Sequence, residues 1–328
     1  MSDISRRTFL AKSAALSTAT AMSHVASGLT VFAKGFDAPP DGPNLRFPMS
    51  PRDRIAVSSW PFRAYVESPT NSDRNPKLPG MDLKDFAAHV VKEFNIRNIE
   101  PIFNQFRSTD PQYLQEFREA VEKAGSHVVN IPVDPDDSLY DPDVAVRKRA
   151  IEFGKKWVDV AVSVGSPSIR NGIARSPHAS PDVGLTVEGL RQVVDYAAKR
   201  NIIVNLENDD LVSEEAFFLI EVIEKIDNPW LHALPDFCNS MLSGKAAYDY
   251  RAVTAMFKHA YNICHVKEDE IGDHGRIYRV SLPRTFGILK DSGFRGYCSM
   301  EWEGKGNPYD GVHELINDTL KYLHAAQQ

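Results

Sequence analysis

Cysteine is scarce in this chain. Its 328 residues include three, Cys238, Cys264 and Cys298, with no C-x-x-C pair among them. An odd count without paired spacing excludes a disulfide framework and reads as three small buried side chains. Basic charge is not in excess either: 38 Lys and Arg stand against 44 Asp and Glu. That balance argues against nucleic acid or an anionic membrane surface as partner. No glycine-rich phosphate loop follows any apolar run, and nothing repeats beyond a strand-plus-helix unit.

The N-terminus is different in character from the rest. Ser5-Arg6-Arg7-Thr8-Phe9-Leu10-Ala11-Lys12 is a twin-arginine export motif, followed by an Ala/Ser/Thr-rich stretch from Ser13 to Ala26. This stretch is shorter and more polar than the about 20 apolar residues of a membrane span. Residues 1–33 are therefore expected to be a signal peptide cleaved after Ala33, delivering a periplasmic protein with no membrane anchor. Loss of Arg6, Arg7, Lys12 and Asp3 would leave 35 basic against 43 acidic residues, a net charge of −8. Residues 34–53, rich in Pro, Gly and Asp, read as a linker or N-terminal arm. Residues 54–328 suit one barrel-sized domain.

From Arg54 onward short apolar runs alternate with amphipathic helical segments. Strand-like runs start at Ile55, Ile96, His127 and Val160 (VAVSVGSPSIR), and four more end at Glu207, Asp236, His265 and Glu301. Leu83, Phe86, Ala87, Val90, Val91 and Phe94 repeat at helical spacing behind an N-cap at Asp82. Asp110-Pro111 opens a second helix, Thr186 a third, and Ser213 is placed to cap a fourth. Eight strand–helix alternations without a hairpin signal predict an α/β fold, a (β/α)₈ TIM barrel, over an open doubly wound sheet.

The last four runs carry the chemistry. Glu207, Asp236, His265 and Glu301 are separated by 29, 29 and 36 residues, about one strand, one helix and two loops each time. In a parallel barrel the strand C-termini form the active face. One carboxylate there is as readily a helix cap as a ligand. Three converging carboxylates repel unless a cation neutralises them. Oxygen-rich ligation with one imidazole suits one divalent ion, Mn²⁺, Mg²⁺ or Co²⁺ in preference to Zn²⁺.

At these residues the chain resembles the sugar phosphate isomerase/epimerase family of xylose isomerase-like TIM barrels. The resemblance covers roughly residues 54–325 and rests on Val204-Asn205-Leu206-Glu207-Asn208, Leu234-Pro235-Asp236, His265-Val266-Lys267-Glu268 and Met300-Glu301-Trp302-Glu303-Gly304. It implies metal ligation by Glu207, Asp236, His265 and Glu301, with Glu207 and Glu301 as the acid/base pair on opposite faces of a substrate carbon. Lys267 shares the inward face with His265 and either polarises a substrate oxygen or pairs with a rim carboxylate such as Glu303. Trp60, Glu100, Asn239, Arg276 and Glu303 are the remaining candidates for substrate contact. Trp60 and Phe62 are alternatively core plugs, Asn130 is placed to complete the pocket, and His274 shares the loop of Arg276. One departure stands out: ketose 3-epimerases of this family carry a substrate-binding His three residues after the Asp ligand, where this chain has Asn239. The related apurinic endonucleases need more strand-end histidines than are present.

The resemblance implies a metal-dependent isomerase or epimerase that abstracts a proton next to a carbonyl. Export points to a non-phosphorylated sugar or sugar derivative as the small-molecule partner. A lyase or dehydratase on a 3-keto-glycoside or keto-inositol is the alternative, and a non-catalytic sugar-binding barrel the second. Self-association into a homo-oligomer is left open.

Overall fold

The computed structural model describes residues 42–325, with 210, 212 and 213 excepted. The expected signal peptide, the first part of the arm and the Ser213 cap lie outside the described residues. Parallel strands and helices alternate through the body. The strands are β1 (Ile55–Ser58), β2 (Asn98–Glu100), β3 (His127–Val128), β4 (Pro132–Val133), β5 (Ser168–Asn171), β6 (Ile203–Glu207), β7 (Leu231–Leu234), β8 (Ile263–Val266) and, after a hairpin of β9 (Asp269–Ile271) and β10 (Ile277–Arg279), β11 (Tyr297–Met300). The helices are α1 (Leu83–Phe94), α2 (Pro111–Lys123), α3 (Val144–Val164), α4 (Val183–Ala198), α5 (Ala216–Ile226), α6 (Ala246–Phe257), α7 (Leu282–Asp291) and α8 (Pro308–Ala325).

Two parallel sheets, β3-β2-β1-β11-β8 and β4-β5-β6-β7, make up the barrel wall. They are joined at both seams. Val129 N donates to Ile99 O and Ile131 N to Ser168 O, so β3 and β4 are one strand interrupted at its middle. On the other side Ala233 N donates to His259 O and His265 N to Pro235 O. With that seam closed, the protein is a (β/α)₈ barrel, as the alternation predicts.

Local chemistry sets the helix limits. The Asp82 carboxylate accepts from Lys84 N at the start of α1, and Asn95 ends it in the left-handed region at φ 52°. Leu83, Phe86, Ala87, Val90 and Phe94 are its buried face, each large side chain contributing about 1.5–3 kcal/mol by leaving water. The main core lies between the strands and this helical ring. A second, small cluster of Ala56, Val129, Leu234 and Ile263 stands apart. Strand alternation puts Ile263 on the face of His265 and Leu234 on that of Asp236, so this cluster plugs the barrel interior beneath the site.

Three expectations need correcting. The run from Val160 is not strand: residues 160–164 are the last turn of the 21-residue α3, which stops only at Gly165 with φ 76°. The fourth barrel strand starts eight residues later, at Ser168. Helix α4 begins at Val183, one turn before Thr186, because Asp182 supplies its cap to Leu185 N. A hairpin is present after all, β9 pairing antiparallel with β10 in the loop after β8. Its short strands carry no apolar alternation that would have marked them.

The arm packs against the barrel at the end opposite the site. Leu45 N donates to the Tyr261 hydroxyl at 2.9 Å, and that hydroxyl donates to Pro43 O at 3.0 Å. Phe47 meets Tyr261 and Tyr297 edge-on, at the starts of β8 and β11. Cys238, Cys264 and Cys298 are all buried free thiols, as expected from their spacing. No helix among the described residues is long and apolar enough to cross a membrane.

Candidate metal centre

Each of the four expected ligands stands at or just beyond a strand C-terminus. Glu207 closes β6, Asp236 lies two residues past β7, His265 is inside β8, and Glu301 follows β11. All four are buried, and one ligand atom from each lies within 4.8 Å of the others. His265 Nδ1 is 2.7 Å from Glu207 Oε1 and 3.2 Å from Glu301 Oε2. Asp236 Oδ1 accepts from the backbone N–H groups of Cys238 and Asn239 at 2.8 and 2.7 Å. Its Oδ2 is buried with no hydrogen-bond partner among the described residues, the Lys267 ammonium standing 3.8 Å away. An orphaned carboxylate oxygen amid two further carboxylates and an imidazole is the donor set a hard divalent cation requires. The residues present therefore fit the ion that the sequence implies.

Electrostatics agree with a site short of positive charge. Burial pushes the Asp236 carboxyl up to about 7; Lys267 opposes the shift, and Glu301 and Glu207 add to it. Burial also raises Glu207, against the pull of His265 and Arg170. Glu301 goes the other way, because His265 and Lys267 outweigh its burial and hold it below the usual carboxylate range. Burial lowers His265 and Lys267, yet the surrounding carboxylates leave both well above their ordinary values.

Lys267 lies where its parity with His265 puts it. Its Nζ is 3.1 Å from Glu301 Oε2, 3.0 Å from Glu270 Oε2 and 2.9 Å from Asn239 Oδ1, and it is almost fully buried. The pairing with Glu303 is not formed. Glu303 instead pairs with Arg63 at 3.0 Å and accepts from the Trp60 indole N–H, while the Arg63 guanidinium stacks over that ring at 4.1 Å. Trp60, Arg63 and Glu303 thus form a cluster of their own just past the ends of β1 and β11, and Phe62 is fully buried core.

Asn239 holds Lys267 through its Oδ1 and reaches Glu207 Oε1 at 3.5 Å through its amide nitrogen. Arg276 is not brought to the site. It is exposed on the hairpin with its guanidinium over Tyr278, and His274 is exposed beside it. Glu100 is not at the substrate face either: it is fully buried, with both oxygens 3.0 Å from His265 Nε2. The reason is depth. Ser299, one layer below Glu301 on β11, donates to Glu100 at 2.6 Å, and Asn130 donates to it at 2.8 Å.

Two functional neighbours escaped the sequence reading. Arg170, at the end of β5, places Nε 2.9 Å from Glu207 Oε2 and also pairs with Asp134. It ends the run VAVSVGSPSIR, but its own strand, Ser168–Asn171, has a single apolar residue, Ile169, so no apolar run marked its position. Asn208 clamps the Asp236 backbone: its Oδ1 accepts from Asp236 N at 2.8 Å and its amide donates to Asp236 O at 3.1 Å. Beside Glu207 a cavity of about 220 Å³ opens, lined by Asp134, Arg170, Asn171, Ile173 and Leu206 among others.

The fold and these four donors define the class. The chain belongs to the xylose isomerase-like TIM barrel family, whose profile matches residues 88–325. A xylose isomerase-like TIM barrel protein from Mycobacterium smegmatis, solved with magnesium, is 18% identical over 84% of this chain and 97% of its own, with TM-score 0.61. The 3-keto-D-glucoside 4-epimerase of E. coli is 14% identical over 83% and 99%, with TM-score 0.58. A D-allulose 3-epimerase from Methylomonas sp. is 13% identical over 86% and 100%, with TM-score 0.62. These structures share the fold, and several of the similar structures are sugar epimerases. No curated protein matches the sequence.

Proposed function

We propose that this protein is a divalent-metal-dependent sugar isomerase or epimerase acting next to a carbonyl on a non-phosphorylated sugar or sugar derivative. The observation that carries this reading is the buried set Glu207, Asp236, His265 and Glu301 at the barrel mouth, with Lys267 against Glu301. Glu207 and Glu301 approach the same His265 nitrogen from two different strands, which suits a carboxylate on each side of a substrate carbon. One removes the proton beside the carbonyl, and the other returns a proton from the opposite side. When bound, a divalent ion supplies Lewis-acid stabilisation of the negative charge that develops on neighbouring oxygens. Lys267 Nζ, a buried ammonium, is placed to donate to a substrate oxygen on that side.

The presence of sugar epimerases among the similar structures, one of them acting on a 3-keto-D-glucoside, supports the substrate class. Asn239, in place of the family's substrate-binding His, favours a derivative over a free ketose. The twin-arginine motif supports export to the periplasm, a pathway that carries proteins already folded around their metal, and phosphorylated sugars are chiefly cytoplasmic metabolites.

The test is incubation of the metallated protein in D₂O with free ketoses and 3-keto-glucosides, followed by NMR and product analysis. Deuterium at the carbon next to the carbonyl, with inverted or isomerised product, is expected. Release of the aglycone would replace this assignment with elimination. No exchange with any of these sugars would leave a binding barrel.

A further inference from the structure

We propose that Glu100 is a positioning residue that fixes the ring and tautomer of His265, so that Nδ1 is the nitrogen offered to the metal. This role rests on the metal site proposed above. The two ring nitrogens of His265 face opposite environments. Nδ1 looks into the ligand cluster, 2.7 Å from Glu207 and 3.2 Å from Glu301. Nε2 points down the barrel and lies 3.0 Å from both oxygens of Glu100. A neutral imidazole has one N–H and one lone pair, and a carboxylate can only accept from it. With Nε2–H bonded to Glu100, the lone pair is left on Nδ1, facing the three carboxylates.

Glu100 is itself held rigidly. Asn130 Nδ2 donates to its Oε1 at 2.8 Å and Ser299 Oγ donates to its Oε2 at 2.6 Å. The chain of contacts continues downward: Asn130 Oδ1 accepts from Ser168 Oγ at 2.6 Å, and Ser168 Oγ accepts from Asn262 Nδ2 at 2.9 Å. All five residues are fully buried or nearly so. An interior layer that could have been apolar is instead a hydrogen-bonded cradle beneath one carboxylate. Substrate cannot reach Glu100, since His265 and this layer enclose it. A carboxylate behind a ligating histidine orients the ring and makes the metal-bound nitrogen more basic, commonly by 10–100-fold in metal affinity.

The experiment compares wild type, Glu100→Gln and Glu100→Ala by Mn²⁺ titration calorimetry, with ¹⁵N-histidine NMR in the presence and absence of Mg²⁺ and circular dichroism as the folding check. Glu100→Gln keeps the side-chain volume and a weaker acceptor. Mn²⁺ affinity is expected to fall about 10-fold in Glu100→Gln and towards 100-fold in Glu100→Ala. A downfield Nε2–H resonance, assigned by its loss in His265→Asn, should be present in wild type and shifted or lost in the variants. Affinities within twofold of wild type, or an unchanged Nε2–H signal in a folded variant, would overturn the role. If wild type binds no Mn²⁺, the metal reading fails; loss of the Nε2–H signal in folded Glu100→Gln still decides whether Glu100 holds the His265 ring.

Discussion

Asp249 offers a quantitative check on the physical account. It sits in the first turn of α6, fully buried, with no hydrogen-bond partner among the described residues for either carboxylate oxygen. Burial, with the charge of Asp236 adding to it, pushes its pKa from 3.8 to about 8. A folded-state pKa above the unfolded value means that the fold binds this proton more tightly. The resulting stability is complete below about pH 4 and is lost as pH rises from 4 to 8. At pH 7 the carboxyl would ionise freely in the unfolded chain but not in the fold, across roughly three pH units. At 1.36 kcal/mol per unit this costs about 4 kcal/mol relative to pH 4, as an upper figure before relaxation. Asp249→Asn removes the titration and keeps the shape. Thermal unfolding midpoints of both proteins, followed from pH 4.5 to 8.5 in chelator, should coincide at the acid end. The variant should pull ahead steadily above about pH 5, by roughly 8–16 °C at pH 7 at 2–4 °C per kcal/mol. Parallel curves over that range, or a variant less stable at every pH, would refute the reasoning.

Other outcomes follow from single contacts. Arg170→Ala leaves Glu207 and Asp134 without their buried cation and should cost about 3–5 kcal/mol, read as a lowered unfolding midpoint. Gly296→Ala would bring a methyl group within 2.5 Å of the Asn262 carbonyl at the foot of β11, and should destabilise by about 1–3 kcal/mol in the same assay. Lys267→Met should lower kcat about 10²–10⁴-fold on the substrate identified in D₂O, with bound metal retained on elemental analysis.

Much of the site was legible because charge at the end of an apolar run is rare and a barrel gathers strand ends at one face. Glu207, Asp236, His265 and Glu301 illustrate this: four positions read independently fall into one cluster. Alternation also put Lys267 on the correct face. What it does not report is depth. Glu100 has the inward parity of a pocket residue yet lies a layer lower, beneath His265. Contacts between side chains were equally beyond reach, so Glu303 found Arg63 instead of Lys267. Arg170 was lost for a different reason: its own strand has a single apolar residue, Ile169. The apolar period of α3 runs through Val160 and Ala161 with no breaker before Gly165, and a helical turn was taken for the beginning of a strand.

Metal content tests the central claim most directly. Protein stripped with chelator, reloaded with Mn²⁺ or Mg²⁺ and desalted should carry one divalent ion per chain. Glu207→Gln paired with Glu301→Gln should carry none while keeping the wild-type circular dichroism. A wild-type protein that retains no ion, or a double variant that binds as tightly, would contradict the account.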